Sequence, residues 1–119
     1  MDSQTFVAAV KDVVEGAAAD GCIHAYSSGP PGRRPSQEIV ELSSWFHDLS
    51  DRDRAMVQRV ARDVAHAAVF GFLCVLDGVR PIEPSEAKGD FELWFVKGGR
   101  RHLITPSSGE MLHDLFSAG

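Results

Sequence analysis

Val64-Ala-His-Ala-Ala-Val-Phe-Gly-Phe-Leu-Cys-Val-Leu76, followed at once by Asp77-Gly78, is the stretch on which the fold turns. It is apolar almost all round, and a helix of that kind is enclosed by the rest of its domain or by a partner chain. Upstream, Ser50 supplies an N-cap and Asp51 and Asp53 put negative charge in the first turn, where the helix dipole favours it. Arg52, Arg54, Arg59 and Arg62 then face outward, so the spacing predicts one long helix, amphipathic at its start and central to the core at its end. Gly78 can take the left-handed conformation that closes a helix, and Pro81 prevents resumption.

Working back toward the start, Phe6, Val10, Val13, Val14 and Ala17 recur at helical spacing after a cap at Asp2 or Ser3, giving a first helix that ends near Asp20-Gly21. Ser-Ser-Gly-Pro-Pro-Gly-Arg-Arg-Pro, from Ser27 to Pro35, holds three prolines without donors and two glycines, and is predicted to be a flexible loop. Ser36 caps a second helix with Ile39, Leu42, Phe46 and Leu49 on its apolar face, Trp45 near that face, and Glu38, Glu41 and Asp48 on the polar side.

Beyond the long helix, Asp77, Glu83, Glu86, Asp90 and Glu92 outnumber Arg80 and Lys88, making residues 77–92 an acidic, exposed connection. Phe91 to Val96 and Arg101 to Thr105 flank Gly98-Gly99, and paired glycines suit a two-residue primed turn, so an antiparallel hairpin follows. With that turn, Phe95 pairs with His102, Trp94 with Leu103 and Leu93 with Ile104. Phe91, Leu93, Phe95 and Ile104 share one face, and Trp94, Val96 and Leu103 the other. Two strands alone are marginal, so one apolar face must pack on helices and the other is free to meet another chain. Ser107-Ser108-Gly109-Glu110 matches a capping box ahead of Met111, Leu112, Leu115 and Phe116, a short closing helix. The fold class is therefore α+β: a single, mainly helical domain over 1–119 with about four helices and a C-terminal two-stranded hairpin.

Composition narrows the function classes. A chain of 119 residues, 44% apolar and 24% charged, has the make-up of one globular domain. Its charge of -5 and pI near 5.4 disfavour nucleic acid and anionic membranes as partners and favour a basic protein. Cys22 and Cys74 are too few for a disulfide framework, Asp2-Ser3-Gln4 begins no secretory signal, and Val64–Leu76 is too short to span a bilayer. These features predict a cytoplasmic location.

Candidate chemistry is sparse. Asp63 and His66 stand three apart on the long helix, yet one carboxylate and one imidazole are too few ligands for zinc. His47-Asp48 and His113-Asp114 are helix neighbours pointing about 100° apart, which does not preassemble an acid-base dyad. No catalytic signature surrounds Cys22 near His24, and Gly29 to Gly32 fits no phosphate loop. Lys97, Arg100 and Arg101 at the hairpin tip read as a solvated edge. The expectation is no catalytic residue, no metal and no cofactor.

Gly71-Phe-Leu-Cys-Val-Leu-Asp-Gly-Val-Arg80, Phe91-Glu-Leu-Trp-Phe-Val96 and Leu112-His-Asp-Leu-Phe116 resemble small bacterial proteins of the toxin-immunity type. That resemblance covers the C-terminal half and carries over no functional residue. It implies a non-catalytic domain that neutralises a cognate toxin by blocking it. Glu83, Glu86, Asp90, Glu92 and Trp94 are the candidate contacts, the carboxylates steering a basic partner and the aromatic ring anchoring it. The alternative is a small enzyme or ligand-binding protein with a site between the long helix and the hairpin, built from Asp63, His66 and His102. A homodimer burying the apolar helix and the outer hairpin face is compatible with either reading.

Overall fold

The computed structural model describes residues 1–28, 36–84, 86–106 and 108–119. Its elements run α1 (Ser3–Val10), a π-helical segment (Lys11–Gly16), α2 (Ala17–Ser28), α3 (Gln37–Asp48), α4 (Asp51–Leu76), β1 (Leu93–Lys97), β2 (Arg100–Thr105) and α5 (Leu112–Ala118). The fold is α+β and mainly helical, with a two-stranded antiparallel sheet and a closing helix.

The first three pieces form one helical run, because the backbone stays right-handed α at both ends of the π segment. Asp2 is the cap, its carboxylate accepting from the Thr5 backbone N–H at 2.8 Å. The stop expected at Asp20-Gly21 is overturned: helix continues through Ser28. A glycine inside a helix costs about 1 kcal/mol, and packing offsets it here. Ala19 is buried, and the Tyr26 ring meets Phe46 of α3 at 6.0 Å between centroids. Ser43, buried on α3, donates from its hydroxyl to the Tyr26 carbonyl at 3.0 Å. Of the expected 27–35 loop, Ser27 and Ser28 are helical, and 29–35 lie outside the described residues.

Both internal caps stand where the sequence puts them. Ser36 Oγ accepts from Ile39 N, and Ser50 Oγ from Asp53 N. α4 ends at Asp77, with Gly78 in the left-handed region at φ 78°. Enclosure of this helix on every side is not observed: Leu73 and Cys74 are buried, but Val64 and Phe72 are each 62% exposed. One face of α4 therefore serves as core and another faces outward.

The hairpin turns through Gly98 and Gly99, both at positive φ, as a primed turn requires. Phe95 pairs with His102 and Trp94 with Leu103, but Leu93 stands opposite Thr105 instead of Ile104. A register irregularity between Leu93 and Trp94 accounts for the shift. Leu93, Phe95 and Ile104 face the core as expected, whereas Phe91 precedes the strand and is exposed. The core cluster is Val7, Leu73, Ile104, Leu112 and Phe116, so α1, α4, β2 and α5 meet in one place.

α5 begins at Leu112, and its N-cap residue, Met111, offers no side-chain cap. This corrects the expected capping box, of which Ser107 is outside the described residues. Asp77 caps the helix from a distance: its carboxylate accepts from Leu112 N at 3.1 Å and from His113 N at 2.8 Å. Two donors that a helix start leaves orphaned are thereby satisfied by the residue that terminates α4.

Candidate functional site

The first helix and the hairpin leave an apolar groove of about 360 Å³ between them, lined by Phe6, Val10, Val13, Leu93, Trp94 and Phe95. A second groove of about 330 Å³ opens on the other side of Phe6, Val10 and Val14, against Phe72 and Leu76 of α4. Because the two share those three residues, one apolar surface runs continuously from α4 over the first helix to the hairpin. Val13 and Val14 lie in the π segment and are 66% and 48% exposed. Single exposed apolar residues are ordinary, but a contiguous patch of this kind marks an interaction surface.

Trp94 stands where that surface meets the acidic segment. Its indole N–H donates to Glu92 Oε2 at 3.0 Å, and the Arg101 guanidinium lies over the ring at 4.7 Å. The ring is thus held from its edge and from one face, so little rotamer freedom remains to be lost on binding. Glu83 Oε2 accepts from the Gly89 backbone N–H at 2.7 Å, tying these two points of the acidic segment together. Glu86 and Asp90 are exposed. Of the five predicted contacts, the structure brings Glu92 and Trp94 together, assigns Glu83 to the loop, and leaves Glu86 and Asp90 facing solvent.

The alternative site is not assembled. His66 turns its Nδ1 to Glu15 of the π segment at 3.2 Å and stacks on Phe116 with ring centroids 4.7 Å apart. Asp63 is exposed on α4, and His102 is exposed on β2. Among the described residues, no group of three or more histidine, cysteine or acidic side chains is placed to hold a metal ion. No helix of the described residues is long and apolar enough to cross a membrane.

A polar cluster that sequence reasoning missed lies at the junction of α4, β2 and α5. His113 Nδ1 meets Asp77 Oδ2 at 2.7 Å, and the Asp77 side chain is 2% exposed. Thr105 Oγ1 donates to Asp77 Oδ1 at 3.4 Å, while His113 Nε2 faces Asp114 Oδ1 at 3.3 Å. His113 and Asp114, the neighbours expected not to preassemble an acid-base dyad, are in contact at that last distance. Nδ1 is engaged by the buried Asp77 carboxylate and Nε2 lies beside the exposed Asp114 carboxylate, so both ring edges meet groups of the chain itself. The cluster works as a clasp: it fixes α5 on the end of α4. Phe70 packs edge-on to the same imidazole at 5.9 Å. The signal available in the sequence was Asp77 itself, an acid placed after an apolar helix, but its partners are 28 to 36 residues away.

Two further groups are tuned locally. The Asp2 carboxyl titrates below its ordinary value because the Thr5 side chain and then the Thr5 backbone N–H hydrogen-bond to it. The Tyr26 phenol is pushed up, first by its contact with Cys22 Sγ at 3.8 Å and then by burial. Both are local effects, one at the cap that opens the first helical run and one in α2. Compared with protein-family models, curated proteins and solved structures, the chain has no significant match.

Proposed function

We propose that this chain is a non-catalytic protein-binding domain that acts as an immunity-like inhibitor, seating a basic protein partner on the surface around Trp94. The observation that carries the reading is the position of Trp94: it lines the apolar groove and is braced by Glu92 at the edge of the acidic segment. Such an arrangement has the two parts a binding surface needs. A preorganised aromatic anchor beside an apolar groove supplies affinity, and outward carboxylates at Glu86 and Asp90 raise the encounter rate with a positively charged partner. A partner that fits presents an apolar segment to the groove and lysines or arginines to the acidic rim.

The test uses a protein captured by the intact chain from the cells that produce it, followed by association kinetics with that purified protein. Glu86→Lys with Asp90→Lys is expected to slow association about tenfold at low salt and much less at high salt, since rim charges act mainly through steering. Glu83 is left in place because it holds the loop. Trp94→Ala is expected to weaken the complex by about 2 kcal/mol or more, chiefly through faster dissociation. Unchanged kinetics in both variants would remove this surface from the account.

A further inference from the structure

Met56, Val60, Val64, Ala68 and Phe72 recur at every fourth position of α4 and form one outward ridge. Met56, Val60, Val64 and Phe72 are 46%, 59%, 62% and 62% exposed. Rows of residues four apart are the ridges by which helices pack, and two such ridges interdigitate at a crossing of about 50°. The ridge carries no charge along its length, while Arg59 and Asp63 flank it on a common side at helical spacing. Only the C-terminal end of this face, Ala68 and Phe72, borders the apolar surface that continues toward Trp94; Met56, Val60 and Val64 lie outside the grooves that form it.

The chain also exposes more surface than a compact monomer of its mass. Its accessible surface is 8529 Å², against about 6,300 Å² expected for 12.9 kDa. Its radius of gyration is 18.4 Å, against about 13.5 Å for a compact domain of this length. The excess, about 2,200 Å², is the scale of surface that each chain of an obligate dimer removes from water.

We propose that a second copy of this chain covers the ridge, the two α4 helices crossing antiparallel about a two-fold axis between Val60 and Val64. A second copy fits for two reasons. A two-fold interface requires a self-complementary patch, and an uncharged ridge packs against itself without leaving a charge unpaired. The same axis sets Arg59 of each copy beside Asp63 of the other, so the flanking charges pair across the seam.

Sedimentation equilibrium of the full chain over a range of concentrations tests this, with circular dichroism to confirm folding. The wild type is expected to be a dimer at micromolar concentration, and Val64→Asp to weaken it about 100-fold or more, because each copy would bury an unpaired carboxylate. Arg59→Asp and Asp63→Arg are each expected to weaken the dimer, and the two combined to restore it. In a Cys22→Ser background, Val60→Cys combined with Val64→Cys, positions that face each other across the axis, should form interchain disulfides on oxidation, while Ala55→Cys, exposed on another side of α4, should not. A wild type that stays monomeric at high concentration overturns the proposal, as does a dimer indifferent to Val64→Asp or cross-linking equally through position 55. Trp94 variants should leave the dimer intact, so failure here is distinguishable from failure of the partner-binding reading.

Discussion

Replacing Asp77 by alanine should cost about 2–4 kcal/mol of folding stability. The carboxylate accepts two backbone N–H groups at the start of α5 and the His113 imidazole, and its side chain is 2% exposed. Loss of a helix cap alone is worth about 1 kcal/mol, up to about 2. Removing a buried carboxylate shared by several donors costs more, about 2–4 kcal/mol, because each donor left unsatisfied is worth about 1–3 kcal/mol. The two effects share one carboxylate and do not add, so the larger sets the range. Against a total stability of about 5–15 kcal/mol for a domain, that is a large fraction. Urea unfolding followed by far-ultraviolet circular dichroism measures it: the midpoint should fall while the denaturant slope is retained. Asp77→Asn keeps an acceptor for the backbone donors and should fall between alanine and wild type. A cost below about 1 kcal/mol for Asp77→Ala would mean that α5 docks through Leu112 and Phe116 alone and that the clasp is incidental.

Two other outcomes follow from local geometry. Gly99 lies at φ 76°, where an L side chain costs about 1–2 kcal/mol; Gly99→Ala should therefore lower the melting temperature, while its added methyl meets no neighbouring atom. Folded Asp2 titrates below the ordinary aspartate value of 3.8, so the stability it contributes is present above that pH and is lost as the pH falls through the lowered folded value. Acid titration of wild type against Asp2→Ala should show a stability difference at neutral pH that closes in acid, and a constant difference across that range would refute the capping role.

What the sequence revealed was local. Ser36 and Ser50 announce their helices because a hydroxyl and the N–H it caps are three residues apart. Gly98-Gly99 announces its turn because only positive φ joins those strands with their natural twist. Gly21 misled because its helix cost is small and Ala19, Tyr26 and Phe46 outweigh it through contacts no short window contains. The outward half of α4 misled for a related reason: hydrophobicity alone does not say whether Val64 and Phe72 are covered within the chain or by another molecule. Long-range polar pairs were out of reach altogether. His66 meets Glu15 across 51 positions, and His113 meets Asp77 across 36. Of the candidate surface, exposure of the carboxylates was foreseeable from composition, whereas the groove beside Trp94 depends on how the π segment turns Val13 outward.

Photo-cross-linking inside producing cells, from a benzophenone amino acid placed at position 94 and, as a control, at Arg52 on the far end of α4, tests the binding surface most directly. Position 94 should trap one basic protein, and position 52 should not. Capture of the same proteins from both positions, or of none from position 94, would contradict a partner seated beside the tryptophan.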